Sequence, residues 1–404
     1  MDHVTITIDG QDNWTLRSAE IIESLCTASA IVAEVEHADA DVDPADMLGK
    51  WIAFSIPTLL DSQPTRWAGG IITRWETMNG AYSGEQGTIF RLHAAAPMVR
   101  MVLRRQTRQF NNASVLDVCR QLFDEWGEQV PASLGRSMMV LDNEPCMVPL
   151  QHIHQNAETD LEFISRLLHQ SGVFTVNVCD GADASDTELR TCTMSRAARP
   201  WAQDLQLQYQ SVTAGAALDH QITRWRRVAN LVPSTPVVAT WHPSVADNIA
   251  PSNRQAMTAS PADKGFQGWE FIQHPLGAPL AGARMGALRD QLSRVREEAL
   301  HLEQAWRHGQ STSTAIVTGC TIDPQDLPND DQGPFLVTAM RLVVLGESLG
   351  SQIDLETPVR CAFNAVPLGV AFRPPIKNER LEPPPLDGAP LCNELDRIDL
   401  QETA

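Results

Sequence analysis

The chain has 404 residues, 43% of them hydrophobic, and 24 glycines, the composition of a folded protein long enough for two or more structural units, each with its own core. Its 31 Lys and Arg against 50 Asp and Glu give a formal charge of −19, which repels nucleic acid and anionic lipid and excludes a generic binder of either. No apolar run reaches the roughly 18 residues of a spanning helix, and Met1-Asp2-His3-Val4 lacks a basic region followed by an apolar one, so a cytoplasmic product with no signal peptide and no membrane insertion is expected.

Val4, Ile6 and Ile8 alternate with threonines and run into Asp9-Gly10, the period-two pattern of a half-buried strand entering a tight turn. Residues 51–56, 70–75 and 88–92 are further short strands, rich in β-branched and aromatic side chains and separated by Gly, Asn, Pro and Ser. Residues 1–100 therefore read as a small antiparallel, barrel-like unit. Near residue 100 the period changes. Ser114 caps a predicted helix carrying Val115, Leu116, Val118, Cys119, Leu122, Phe123 and Trp126, with Gly127 placed to end it. Thr159-Asp160-Leu161-Glu162 is a capping box, followed by an apolar face of Leu161, Ile164, Leu167 and Leu168 and by Gly172. The two helices make 101–200 an α+β domain.

Residues 201–372 return to strands, among them 237–241, 314–318 and 335–345, with a polar stretch at 243–265 that reads as an exposed loop. Met285, Leu288, Leu292, Val295, Ala299, Leu302 and Trp306 fall at steps of three and four, which predicts an inserted long helix over 281–307. The spacing fits a coiled-coil seam, but the run is short, and an amphipathic helix laid on its own domain explains it better. Arg373-Pro374-Pro375 and Pro383-Pro384-Pro385 hold the backbone extended, so 373–404 reads as a Pro-rich linker or tail. Eight cysteines stand at 26, 119, 146, 179, 192, 320, 361 and 392 with no Cys-x-x-Cys, so buried free thiols are expected, not a zinc ribbon or a redox pair.

Two motifs invite an enzymatic reading. Gly346-Glu347-Ser348-Leu349-Gly350 follows a strand and matches the Gly-x-Ser-x-Gly elbow of a serine hydrolase. An elbow must enter a helix, whereas Pro358 lies shortly downstream; that fold also places its catalytic His after the Ser, and the last histidine is His308. A Gly-flanked hairpin turn explains the same residues. His152-x-His154 with Glu158 resembles the first half of a cupin metal motif, because alternate strand positions share a face. The flanking glycines are absent, Glu158 abuts the Thr159 cap where a carboxylate faces the positive helix end, and exposed strand histidines account for the pair. No Walker loop, Gly-x-Gly-x-x-Gly or His-Glu-x-x-His occurs. The basic cluster Arg104-Arg105-Gln106-Thr107-Arg108 reads as pairing with carboxylates at a domain junction. No catalytic, cofactor-binding or metal residue is assigned, and no cofactor is expected. A metal- or serine-dependent hydrolase using His152, His154 and Glu158, or Ser348, is the alternative from another class. A third reading is an adaptor whose acidic surface binds an effector.

One segment carries a family resemblance. Gln155-Asn156-Ala157-Glu158-Thr159-Asp160-Leu161-Glu162-Phe163-Ile164-Ser165-Arg166-Leu167-Leu168, closed by Gly172-Val173-Phe174, resembles the signature of VgrG proteins, the spike components of type VI secretion systems, whose N-terminal region is similar to the baseplate hub of contractile phage tails. Further matches follow in the same order: Leu48-Gly49-Lys50, Gly70-Ile71-Ile72-Thr73-Arg74, Arg105-Gln106-Thr107-Arg108-Gln109-Phe110 with Ser114-Val115, and Phe363-Asn364-Ala365-Val366-Pro367, ending at Phe372-Arg373-Pro374-Pro375. At Asn156 the family commonly has an aromatic residue. VgrG chains continue past Arg-Pro-Pro into a further barrel and a trimeric β-helical needle, whereas this sequence ends at Ala404; a separate tip polypeptide, a shortened gene and a truncated sequence all remain open. The resemblance implies an α+β, mainly β, phage-tail-hub-like fold with two small antiparallel barrel-like units and inserted helices. It also implies a homotrimer that docks on the Hcp tube hexamer, carries a spike tip, effector or adaptor protein, assembles in the cytoplasm and is exported with the tube. A contractile phage tail baseplate hub is the alternative within the same class.

Overall fold

The computed structural model describes residues 4–38, 42–60, 63–78, 87–129, 136–139, 149–184, 187–192, 205–210, 220–232, 235–239, 269–273, 285–327, 331–346 and 359–374. The expected 243–265 loop, Ser348, most of the Pro-rich tail and the side chains of Met285 and Leu288 lie outside the described residues.

The first unit contains β1 (Thr5–Ile8), β2 (Thr15–Ser24), β3 (Ala30–His37), the short helix α1 (Pro44–Met47), β4 (Trp51–Leu60), β5 (Gln63–Met78) and β6 (Thr88–Ala95). Its six strands hydrogen-bond in the order β1-β4-β5-β6-β3-β2, each pair antiparallel. Period-two burial puts Ile6 and Ile8, then Ala19 and Ile21, then Ile52, Phe54 and Ile56 on the inner face. Trp14, Trp75 and Phe90 meet there edge-on or tilted, with ring centroids 5.1 to 6.1 Å apart.

The middle module contains β7 (Arg105–Ala113), α2 (Val115–Gln129), β8 (Arg136–Met139), β9 (Leu150–Thr159), α3 (Asp160–Gln170), β10 (Phe174–Cys179) and β11 (Thr187–Cys192). Strands β7 and β9 form a two-stranded ribbon, and β10-β11-β8 form a small sheet. Both predicted caps are present. The Ser114 hydroxyl accepts from the Asp117 amide at 3.2 Å while the Asp117 carboxylate accepts from the Ser114 amide at 3.1 Å. Thr159 and Glu162 make the reciprocal pair at the start of α3. Gly127, expected to end the first helix, is instead inside it, and α2 continues to Gln129. Burial of Leu122 and Trp126 on the preceding turns holds the helix past a residue that by propensity alone would end it.

The second unit contains β12 (Leu205–Tyr209), β13 (Gln221–Val228), β14 (Thr235–Ala239), β15 (Trp269–Gln273), α4 (Met285–Leu302), β16 (Trp306–Ser311), β17 (Thr321–Gln325), β18 (Phe335–Leu345) and β19 (Val359–Pro367). The order β18-β17-β12-β13-β16-β19 closes into a six-stranded barrel because β19 also pairs with β18. This barrel is not wholly antiparallel: β12 lies parallel to both β13 and β17. Two expectations are corrected. The long helix stops at Leu302, and Trp306 opens β16 instead of extending the apolar seam; both residues are buried, so spacing alone could not separate them. Residues 314–318 are not a strand, for a reason given below. Leu292 packs into the middle-module core and Leu302 beside Phe174, so α4 is an amphipathic helix laid on its own chain.

Strands β2 and β18 pair from Ala339↔Ser24 to Leu345↔Ser18, which joins the two units into one twelve-stranded sheet with a continuous core from Ile6 to Ala365. Among the described residues Cys119, Cys320 and Cys361 are buried and in no disulfide, while Cys26 and Cys179 are half-buried.

Candidate functional site

Three polar nodes position the parts of this molecule. The first is centred on Asp160, the first residue of α3, whose side chain is 0% exposed. Its Oδ2 accepts from Arg104 Nε at 2.5 Å and Trp126 Nε1 at 2.9 Å; its Oδ1 accepts from Arg108 Nη2 at 2.7 Å and Gln155 Nε2 at 2.9 Å. All four acceptor positions of the carboxylate are thereby filled. Glu125 receives the other ends of both arginines at 2.8 Å. Burial raises the Glu125 pKa, but the hydrogen bonds from Arg108 and Gln121 and the charges of Arg108 and Arg104 outweigh it and hold the group below its ordinary range. The basic cluster is thus a clamp that ties β7, α2 and α3 together: the expected pairing with carboxylates is present, but inside the middle module and not at a domain junction. The signature segment has the same explanation, since Gln155 and Asp160 belong to the node and Arg166 forks onto Glu158 at 3.1 Å while donating to the His154 carbonyl at 2.8 Å.

The second node sits where the two β units meet. Arg66 on β5 and Glu23 on β2 form a buried ion pair at 2.6 Å. Arg66 Nη1 donates to the carbonyls of Thr314 at 3.3 Å and Ile316 at 3.1 Å, and Glu23 Oε2 accepts from the Thr318 amide at 3.2 Å. These side chains take backbone groups that a neighbouring strand would otherwise use, which is why 314–318 is irregular despite its strand-like composition. Beside them, desolvation pushes the Cys361 thiol up to about 12, with Cys320 and Glu23 adding to the rise and Arg66 opposing it.

The third node fixes the end of the described chain. Phe372 packs edge-on against Phe174 with centroids 5.1 Å apart, and Arg373 Nε donates to Glu298 on α4 at 2.6 Å while its Nη1 reaches the Gly172 carbonyl at 3.3 Å.

The histidine-carboxylate motif does not assemble. His152 and His154 are exposed on β9, whereas Glu158 is buried and used by Arg166, so the trio does not share one site. Among the described residues no group of three or more His, Cys, Asp or Glu is placed to hold a metal. Strand β18 returns antiparallel as β19, with Val344 opposite Val359, and Gly346 is needed for close approach because a Cβ there would lie 1.8 Å from the Leu16 carbonyl oxygen. That close approach accounts for Gly346, while Ser348 lies outside the described residues.

The fold has known counterparts. A family model described as the phage tail baseplate hub (GPD) matches residues 22–345. The chain belongs to the phage tail baseplate hub family. Hub-like folds recur among solved structures. The E. coli c3393 protein, a component of the type VI secretion system with structural similarity to the T4 tail proteins gp27 and gp5, superposes with a TM-score of 0.62 at 17% identity, covering 92% of this chain and 79% of that one. A tail protein of Neisseria meningitidis MC58 gives 0.60 at 12% identity, covering 91% and 97%. A chain of the Francisella PdpA-VgrG complex gives 0.57 at 9% identity, covering 93% and 60%. The sequence resemblance to VgrG through its hub-like region agrees with these findings. Comparison with curated proteins gives no match. The family match gives this chain a structural role, that of a phage tail baseplate hub, and no catalytic family is indicated.

Sequence reasoning missed the Arg66–Glu23 junction of the hub. The available signal was periodicity: Glu23 continues the inward series Ala19, Ile21, and Arg66 falls in register with inward Ala68, so each charge stands where an apolar residue belongs.

Proposed function

We propose that the chain is the hub ring of a contractile injection apparatus, a homotrimer that docks on a tube of hexameric rings and carries a spike tip, effector or adaptor protein on its opposite face. The observation that carries this reading is that one chain folds two six-stranded units joined edge to edge through β2 and β18. Three copies present six such units, which lets a trimer meet six equivalent contacts. The three nodes make that ring stiff: the Asp160 clamp braces the module between the units, Arg66 and Glu23 lock one unit to the other, and Arg373 ties the exit of the chain to α4. A stiff ring transmits axial force without a catalytic step.

The first setting for such a hub is a type VI secretion spike, in which the tube is made of Hcp, assembly is cytoplasmic and the hub leaves with the tube; the likeness to c3393 supports it. The second is a contractile phage tail baseplate, supported by the family match and by the coverage of nearly the whole Neisseria tail protein. Light scattering or native mass measurement of the purified chain at micromolar concentration tests the common core of both: a trimer is expected, and a monomer under those conditions refutes the ring. Co-sedimentation with preassembled Hcp rings then separates the settings, since only the secretion hub is expected to pellet with them.

A further inference from the structure

We infer that the exposed face of the β7–β9 ribbon is a binding site for a borderline divalent transition metal ion, held by the imidazoles of His152 and His154. The two residues alternate along β9 and point to the same solvent-exposed face, with ring centroids 6.0 Å apart. Two imidazole nitrogens bound to one ion at about 2.1 Å in tetrahedral geometry place their ring centroids roughly 5 Å apart. Both residues are exposed, so a small rotation of the His154 side chain can close that difference.

The opposite strand prepares one of the two ligands. Asn111 stands directly across from His152, and Gln109 directly across from His154. The Gln109 amide donates to Asn111 Oδ1 at 2.6 Å, which identifies that oxygen as an acceptor, and His152 Nδ1 lies 2.7 Å from the same atom. In the tautomer with its hydrogen on Nδ1, His152 donates to Asn111 Oδ1 and presents the Nε2 lone pair outward, with Gln109 Nε2 a further neighbour of Nδ1 at 3.0 Å. A ligating histidine whose second nitrogen donates to a carbonyl is the arrangement that fixes tautomer and ring orientation at metal centres. His154 is steadied from below, where its carbonyl accepts from Arg166 at 2.8 Å. Two neutral nitrogen donors without a carboxylate select copper, nickel or zinc over magnesium or calcium, and the remaining coordination positions face solvent. The site uses none of the residues that the hub function needs.

Isothermal titration of the tag-free full chain with Cu²⁺, Ni²⁺, Zn²⁺ and Mg²⁺ tests the assignment. The parent is expected to bind one equivalent more than the His152→Ala/His154→Ala double variant, with Kd below about 0.1 mM and with Mg²⁺ silent. His152→Ala and His154→Ala each remove that equivalent, and Asn111→Ala, which leaves both ligands in place, weakens it about tenfold or more. All three positions are exposed, and far-UV spectra matching the parent verify that the variants fold. Absence of saturable binding overturns the proposal, as does a His152→Ala/His154→Ala double variant that binds as many equivalents as the parent. An Asn111→Ala variant with unchanged affinity overturns the prepared site.

Discussion

Asp160→Asn probes the clamp with the smallest change of shape. The carboxylate is fully buried and each oxygen accepts two hydrogen bonds, one of them from an arginine. An amide must turn its NH₂ toward one of those donor pairs. It then loses one charge-assisted bond worth about 1.5–3 kcal/mol and one neutral bond worth about 0.5–1.5 kcal/mol. It also removes the buried partner of two arginines, for which losses of about 3–5 kcal/mol are typical. Glu125 still neutralises part of their charge, so the expected destabilisation of the middle module is about 3–5 kcal/mol. Native-state hydrogen exchange reads it directly: the amides of α2 and α3 should lose protection by roughly two to three powers of ten, since about 1.4 kcal/mol corresponds to one. Glu125→Gln, at a carboxylate 28% exposed, serves as the contrast and should cost about 1 kcal/mol or less, diminishing further in high salt. Protection changed by less than tenfold in Asp160→Asn would refute the clamp.

At the junction of the units, Arg66→Met strands a buried Glu23 and should cost about 3–5 kcal/mol, while adding Glu23→Leu should restore much of it; a double variant no better than the single one contradicts the ion-pair account. Gly172 has φ of +75°, and a Cβ there would lie 2.7 Å from Val295 Cγ2 and 3.3 Å from Arg373 Cδ. Gly172→Ala should therefore loosen α4 and the exit segment, visible as faster exchange over 292–302, and unchanged exchange would remove the third node from the argument. Cys361 titrates near 12 in the fold against an ordinary 9.0, so the folded state binds a proton that the unfolded state has lost in between. Its contribution is intact below pH 9 and declines from there toward 12, and thiol reagents should label it at pH 8 only after denaturation. Asp331 is raised by burial but lowered further by Arg307, Trp225 and the charge of Arg227, so its net shift is downward. That stabilisation is present above the ordinary carboxylate range and fades as pH falls through the depressed value; an acid unfolding profile unchanged by Asp331→Asn would contradict it.

Local chemistry by itself determined much of this protein. Thr159 with Glu162 and Ser114 with Asp117 are caps because hydroxyl, carboxylate and amide three residues apart satisfy one another wherever a helix begins. Period-two alternation likewise made β1 legible, a run of apolar and β-branched residues made β18 legible, and the collinear matches from Leu48 to Pro375 were enough to name the hub-like class. Only the tertiary structure decided where α4 ends, since Leu302 and Trp306 are equally apolar and the chain turns into β16 between them. It also decided that 314–318 is not a strand, because the groups satisfying its backbone come from Arg66 and Glu23, far earlier in the sequence. The fate of His152, His154 and Glu158 was settled in the same way: spacing proposed one trio, but Arg166 takes the carboxylate and Asn111 orients the first imidazole. Caps and alternation depend on neighbours within a few residues, whereas buried charges are partnered across the fold, and only their spatial proximity identifies the partner.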